Sequence, residues 1–336
     1  MPRAIRNAMQ GSLSIGTGSG MKARGPSDKP HLGRRFGNAM GSLRHRIMQS
    51  LPDRLHIALR YRRVFGRFPN LRHPQTFNEK ICYRKLHPEP SYSILSDKVA
   101  ARDHVAGVIG SEHLVPCHAV CSELTPDIYH GLPDSFVMKA NHGFGYNLLV
   151  RNKQDYPYPM LYNLSQAWLR EDFSKISREA HYHDIKPRLI IEQLLLDESG
   201  NVPKDFKFHC FRRTGESPVV FVEVTHDRFS DYRVDFYDQD WNMIEVREDR
   251  FSSGKPMARP ALLDEAQALA LKLSEGFSYV RVDFYLVNGQ IYFGELTFTP
   301  TAGLNEVQAS SDRRGMGSAF RTLKWSANGS RARLPS

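Results

Sequence analysis

Apolar and polar residues alternate with a period of two through VRVDFYLVNGQIYFGELTFTP, Val280 to Pro300, on either side of Asn288-Gly289. In the first run Val280, Val282, Phe284 and Leu286 fall on one face of a strand, and Arg281, Asp283 and Tyr285 on the other. In the second, Tyr292, Gly294, Leu296 and Phe298 share a face, leaving Ile291, Phe293, Glu295 and Thr297 opposite. Both apolar faces must meet one core, and this requirement sets the register. A two-residue Asn288-Gly289 turn pairs Val287 with Gln290 and separates Asp283 from Glu295. A three-residue loop through Gln290, with a left-handed glycine, pairs Val287 with Ile291 and sets Asp283 opposite Glu295. The three-residue loop is the expected register, and it lines Arg281, Asp283, Glu295 and Thr297 in one patch. Two carboxylates about 5 Å apart at Cβ repel unless a cation lies near them. A hard cation such as Mg²⁺, completed by phosphate oxygens, meets that need. So does Arg281 on an ordinary polar sheet face, and the hairpin alone leaves both readings open.

Upstream, the same pattern places further charges on strands and helix ends. Thr76 and Glu79 have capping-box spacing at the start of a helix. In LSDKVAARDHVAGVIG a helix starts at Ser96 or Asp97, which puts Lys98 in its first turn, against the helix dipole. SFVMKANHGFGYNLLV predicts a strand Phe136 to Ala140 carrying Lys139, a turn with Gly143 and Gly145, and a returning strand Asn147 to Val150. Backbone N–H groups of such a turn can close over an anion that Lys139 also reaches; an ordinary hairpin with a snorkelling lysine is the alternative. A helix is expected over 164–180, anchored by Trp168 and Phe173, and the His181/His183 pair has no third ligand nearby to make a metal site. PRLIIEQLLLD reads as a buried strand with Glu192 at a hinge whose backbone could meet an adenine edge. DFKFHCF puts Asp205, Lys207 and His209 on one face, VVFVEVTHDR ends in Arg228, and Ala261 to Glu275 forms a helix stopped by Gly276.

Length and charge refine this picture. The 336 residues suffice for two domains or one large one, with no internal repeat. No apolar run approaches the ~18 residues of a membrane span, and the start lacks the pattern of an export signal. The four cysteines form no CxxC pair, which argues against zinc and for reduced thiols in a cytoplasmic setting. The net charge of +10 belongs to the ends. Residues 1–72 carry 15 Lys/Arg against Asp28 and Asp53, residues 318–336 carry four and no acid, and 73–317 stands at −7. Residues 1–40 and 318–336 are expected to be disordered basic tails. Leu43 to Phe65 reads as a basic, loosely amphipathic helix broken near Pro52. It is either a solvated helix docked on the body or a contact for an anionic membrane surface or polymer; without an aromatic and basic recognition motif, nucleic acid is disfavoured.

In combination, TFNEK, LSDKxAAR, SFVMKANHG, DFKFxCF, RVDFY and YFGELTFTP resemble the TupA-like ATP-grasp family, known from teichuronopeptide and other cell-surface polysaccharide gene clusters. The likeness covers about residues 60 to 317. It implies an α+β ATP-grasp fold with nucleotide held between two α+β subdomains, a helical N-terminal region over 41–130 and the ATP-grasp domain over 131–317. It further implies an ATP- and Mg²⁺-dependent ligase that joins a carboxylate to an amine through an acyl phosphate, with a surface glycan or its precursor as substrate. By motif, Lys98 and Lys139 hold phosphates, Gly143 and Gly145 form the flexible lid, Glu192 with Leu194 meets the adenine edge, and His142 is a further nucleotide-binding residue. Lys207 and Arg228 stabilise charge on the transferring phosphoryl group, Arg281 is a further catalytic residue, and Asp283, Glu295 and Thr297 hold the metal. The usual Glu-x-Asn of ATP-grasp proteins is Glu295-Leu296-Thr297 here, and a hydroxyl is a weaker donor than an amide oxygen. Two other readings stand beside this one: a glycosyltransferase, and a non-catalytic scaffold that binds membrane or polymer through its basic ends.

Overall fold

The computed structural model describes residues 48, 50–226, 232–244 and 252–304. Both expected tails and Arg228 lie outside these residues. The described chain is α+β and carries two antiparallel sheets. The smaller, in the order β1-β4-β2-β3, consists of β1 (Cys117–Cys121), β2 (Phe136–Ala140), β3 (Asn147–Val150) and β4 (Leu189–Glu192). The larger, in the order β10-β9-β5-β6-β7-β8, consists of β5 (Asp205–Phe211), β6 (Val219–His226), β7 (Arg233–Tyr237), β8 (Met243–Ile244), β9 (Tyr279–Val287) and β10 (Gln290–Thr297). β1 lies before the expected boundary at 130/131, yet pairs with β4 as an edge of the smaller sheet.

Helices cover one face of each sheet, because strand alternation gives each a continuous apolar surface to bury. On the smaller sheet Phe136, Met138, Ala140, Leu148, Leu189 and Ile191 pack with Leu161, Leu164 and Trp168 of the helix Tyr158–Arg170. That helix starts six residues before its expected position and stops at Glu171. Asp172 then caps the short helix Phe173–Ser177 through Lys175 N. On the larger sheet Phe206, Phe208, Val222, Val280, Val282 and Phe284 pack with Leu263, Ala266, Leu269, Ala270 and Leu273 of the helix Leu263–Leu273. Gly276 follows that helix at φ +83°, as a left-handed stop requires.

The N-terminal helices are α1 (Asp53–Phe65), which begins immediately after Pro52, and α2 (Phe77–Leu86), which begins at a complete capping box between Thr76 and Glu79. Ser96 is not a helix start but the last residue of α3 (Pro90–Ser96). Asp97 Oδ1 accepts from Val99 N and Ala100 N, and this turn carrying Lys98 leads into α4 (Ala101–Ile109).

The closing hairpin corrects the expected loop while keeping its outcome. Val287 pairs with Gln290 around a two-residue turn in which Asn288 (φ +52°) and Gly289 (φ +72°) are both left-handed. The register shifts further along, between Phe293 and Glu295, at Gly294. Before this bulge Ile291 and Phe293 pair with Leu286 and Phe284, and both enter the core instead of facing away from it. After it Leu296 joins the core, and Glu295 and Thr297 stand opposite Asp283 and Arg281. A Cβ at Gly294 would lie 3.1 Å from the Asp283 carbonyl oxygen, so the close approach at the bulge favours glycine.

Candidate active site

The other face of the larger sheet is built in rows. Glu223, Lys207, Asp283 and Glu295 pair in sequence across β6, β5, β9 and β10, and the adjacent row runs Phe221, His209, Arg281 and Thr297. These rows turn the strict alternation of β5 and β9 into one polar block with charges on neighbouring strands. Arg281 joins the rows: it donates bidentately to Asp283 at 2.7 and 2.8 Å, to Glu295 at 2.8 Å and to the Thr297 hydroxyl at 3.0 Å. Thr297 donates in turn to Glu295 at 3.1 Å. Lys207 donates to the Thr225 hydroxyl and lies 3.5 Å from Glu223 and 3.9 Å from Asp205.

Burial sets the electrostatics of this block. Burial and the neighbouring Glu295 push the Asp283 carboxyl up to about 7, with Arg281 and Lys207 pulling the other way. Burial opposes the Arg281 charge, but Asp283, Glu295 and Glu223 overcome it and raise its pKa. Burial likewise opposes ionisation of Glu223, yet Lys207, His209 and Arg281 hold it below the ordinary carboxylate range.

The facing wall comes from the smaller sheet and α4. Lys139 alternates out of the core of β2 and donates to Glu192 Oε2 at 2.7 Å, while Arg102 of α4 holds Oε1 at 2.8 Å. Burial disfavours the Lys139 ammonium, but Glu192, Tyr285 and Glu295 outweigh it and its pKa lies above the ordinary value. Lys98 donates to the Gly143 carbonyl at 2.8 Å. Burial lowers its pKa, with Glu295 opposing. Glu295 favours the charged form of both lysines of the smaller sheet's side, and the chain after β4 reaches the closing hairpin, where Asn288 Nδ2 donates to the Leu196 carbonyl at 3.0 Å.

The glycine turn is pinned from behind. Asn141 Nδ2 donates to Asp97 at 2.8 Å, and Asn141 Oδ1 accepts from Arg188 N at 2.7 Å. His142 is buried, with Nε2 3.2 Å from the carbonyls of Trp168 and Glu171, so the geometry gives it an anchoring place at the root of the turn. A Cβ on Gly143 would meet Tyr146 at 2.6 Å and Phe173 at 2.8 Å, and Gly145 sits at φ +85°. Between them Phe144 is 60% exposed at the tip. Gly143 is therefore required by packing and Gly145 by backbone conformation.

Three site residues escaped the sequence reading: Arg102, Glu223 and Glu179. Arg102 lies four residues after Lys98, a helical spacing that could have flagged it. Glu223 is a single acid at even spacing in an apolar strand. Glu179 accepts from the Thr299 hydroxyl just past β10, a contact 120 residues apart in sequence with no local signal.

Two fit tests bear on an adenine nucleotide and a divalent cation. Leu194 is 7% exposed, and its backbone N–H has no acceptor among the described residues; Gln193 N is bonded to Pro116 O. A backbone N–H without a protein acceptor just past a strand end suits a ring-nitrogen acceptor. In the block Asp205, Lys207, Glu223, Arg281, Asp283 and Glu295, four carboxylates meet two cations, an excess of hard oxygen donors suited to Mg²⁺. No group of three or more His, Cys, Asp or Glu among the described residues forms a metal site by itself, so phosphate oxygens would have to complete the shell.

A family model described as TupA-like ATPgrasp matches residues 79–321. The chain belongs to the TupA-like ATP-grasp family. A comparison with curated proteins finds no match. Among solved structures, it is similar to D-alanine–D-alanine ligase from Helicobacter pylori, at 10% identity and TM-score 0.36 over 64% of this chain and 57% of that one. N5-carboxyaminoimidazole ribonucleotide synthetase from Thermus thermophilus matches at 14% identity and TM-score 0.35, over 66% and 51%. D-alanine–D-alanine ligase from Bacillus anthracis complexed with ATP matches at 14% identity and TM-score 0.34, over 62% and 54%. The chain spans about half the length of these structures.

Proposed function

We propose that this protein is an ATP- and Mg²⁺-dependent carboxylate–amine ligase, acting on a cell-surface polysaccharide or its precursor. The observation that carries the reading is the cross-strand row Glu223, Lys207, Asp283, Glu295 with Arg281 bonded to both Asp283 and Glu295, set with the paired Lys139–Glu192–Arg102 group and Lys98 at the glycine turn. Phosphoryl transfer needs charge neutralisation and positioning more than covalent help from the protein, and this arrangement supplies both. Lys98 and Lys139 would hold phosphate oxygens beneath the Gly143–Gly145 turn. The Leu194 N–H and the Glu192 backbone would orient the adenine. Lys207 and Arg281 would bear on the transferring phosphoryl group, with Arg228 expected to join them. Mg²⁺, held by Asp283, Glu295 and Thr297, would neutralise the phosphate oxygens when bound.

The substrate carboxylate oxygen would attack the γ-phosphorus as its bond to ADP breaks, giving an acyl phosphate. An amine would then attack the acyl carbon, expelling inorganic phosphate and losing its proton. Hydroxylamine can replace the amine, so ATP-dependent hydroxamate formation across a panel of uronic acids and amino acids tests the reading without knowledge of the natural acceptor. Turnover should be lost in Asp283→Asn and in Glu295→Gln; unchanged turnover in both would remove the metal assignment.

A further inference from the structure

The basic N-terminal segment takes a form in the structure that the cleft does not use. α1 buries His56, Ile57 and Tyr61 against the body, where Ile57 and Tyr61 pack with Leu71 and Cys82. Its outer stripe carries Leu55, Leu59 and Arg62 at i, i+4 and i+7, flanked by Arg54 and Arg63. Leu55 is 45% exposed, Val64 37% and Phe68, just beyond the helix, 51%. The Arg62 guanidinium lies 4.8 Å over the Phe68 ring. Arg54, Arg62, Arg63 and Arg72 are exposed, and among the described residues none has a carboxylate within ion-pair distance. The acid of this helix, Asp53, is committed to Arg178 at 2.7 Å, and Arg67 to Glu79 at 2.6 Å.

We infer that this outer face of α1, with Phe68 and Arg72, is a docking surface for an anionic lipid bilayer. Large apolar side chains set among unpaired arginines match an interface with hydrocarbon below the headgroups and phosphate around them; the arginine stems lie along the apolar layer while their heads stay at the phosphates. Leu55 and Phe68 are both exposed large apolar side chains of this segment, interspersed with its arginines. Nucleic acid is the poorer occupant, because Arg62 already covers the aromatic face on which a base would stack. Charge sets the orientation. Residues 1–72 carry 15 Lys/Arg against two acids while 73–317 stands at −7, so an anionic surface attracts this end and repels the body.

The test is co-sedimentation of the full-length protein with vesicles of phosphatidylcholine alone or mixed with phosphatidylglycerol, at low and high salt. Binding is expected to the phosphatidylglycerol vesicles only, with release by salt. Each arginine near such a surface contributes about fivefold to partitioning. Partitioning should therefore fall by about two orders of magnitude or more in Arg54→Gln/Arg62→Gln/Arg63→Gln/Arg72→Gln, and by about tenfold or more in Leu55→Ser/Phe68→Ser through lost apolar burial, with melting temperature and ATP-dependent turnover unchanged. Absence of binding to phosphatidylglycerol vesicles would overturn the inference. So would full binding by both variants, which would assign the contact to residues preceding α1, or displacement from the vesicles by equimolar single-stranded DNA.

Discussion

Two buried carboxylates, Glu79 at the entry of α2 and Asp283 in the cleft, have opposite surroundings. Glu79 Oε1 accepts from Arg67 at 2.6 Å and Asn70 N at 3.2 Å, and Oε2 from Gln75 N and Thr76 N at 3.0 Å each. Burial alone would raise its pKa, but these donors hold it at about 2. Asp283 has a single cationic side chain in bidentate contact and a second carboxylate directly opposite it, and burial with that neighbour brings it to about 7. An acid whose lone pairs are filled by backbone donors is part of the framework. An acid set against another acid is costly unless a ligand neutralises the pair, and that distinguishes a site from a support.

The largest expected effect tests the second half of this contrast. Asp283→Asn should cut ATP-dependent turnover by about 10³-fold, the scale of losing one preorganised charge contact at a reacting centre, while chemical denaturation of the ligand-free protein changes little. A variant that unfolds but retains specific activity would place Asp283 with Glu79 as a support. Glu79→Gln should do the reverse, lowering stability at pH 7 by about 3 kcal/mol, because its donors hold the carboxyl at about 2 instead of 4.5, and leaving turnover per folded molecule intact. The folded pKa lies below the unfolded one, so the unfolded state takes up more protons between them. Wild-type stability should fall as pH drops from 4.5 towards 2, and the difference between wild type and Glu79→Gln should close over that window in urea melts.

Smaller effects sharpen the comparison. Lys139→Met leaves Glu192 with Arg102 alone; if Lys139 holds a phosphate as proposed, nucleotide-dependent turnover should fall about 10²-fold, with a raised KM for ATP and unchanged folding. Gly145→Ala places a Cβ at φ +85° in open space, so it should cost only about 1 kcal/mol in thermal stability. Gly143→Ala meets Tyr146 and Phe173 and should cost more; equal costs would show that the turn repacks freely.

The hairpin shows how far pattern carries. Alternation, and the need to bury two apolar faces, brought Asp283 opposite Glu295, and the structure agrees. The place of the shift was not legible, because either glycine, Gly289 or Gly294, can absorb one residue and restore the same parity downstream. Ile291 and Phe293 changed faces for that reason. The strand carrying Lys139 and the capping box of α2 were read to the residue, since both rest on interactions within a few positions. Arg102 on Glu192, and His142 on the carbonyls of Trp168 and Glu171, depend on how α4 and the helix Tyr158–Arg170 approach the smaller sheet.

By itself the sequence determined the faces of β5 and β9, the capping box of α2, the charge asymmetry between ends and body, and the family likeness that the family model bears out. These are properties of period, local hydrogen bonding and residue type. Only the tertiary structure decided that Lys139 and Arg102 hold Glu192 from two sides, that Arg281 spans Asp283, Glu295 and Thr297, and that α1 keeps Leu55 exposed beside Arg54 and Arg62. Those contacts join segments far apart along the chain. Their geometry follows from how two sheets and their covering helices pack, which no local period encodes.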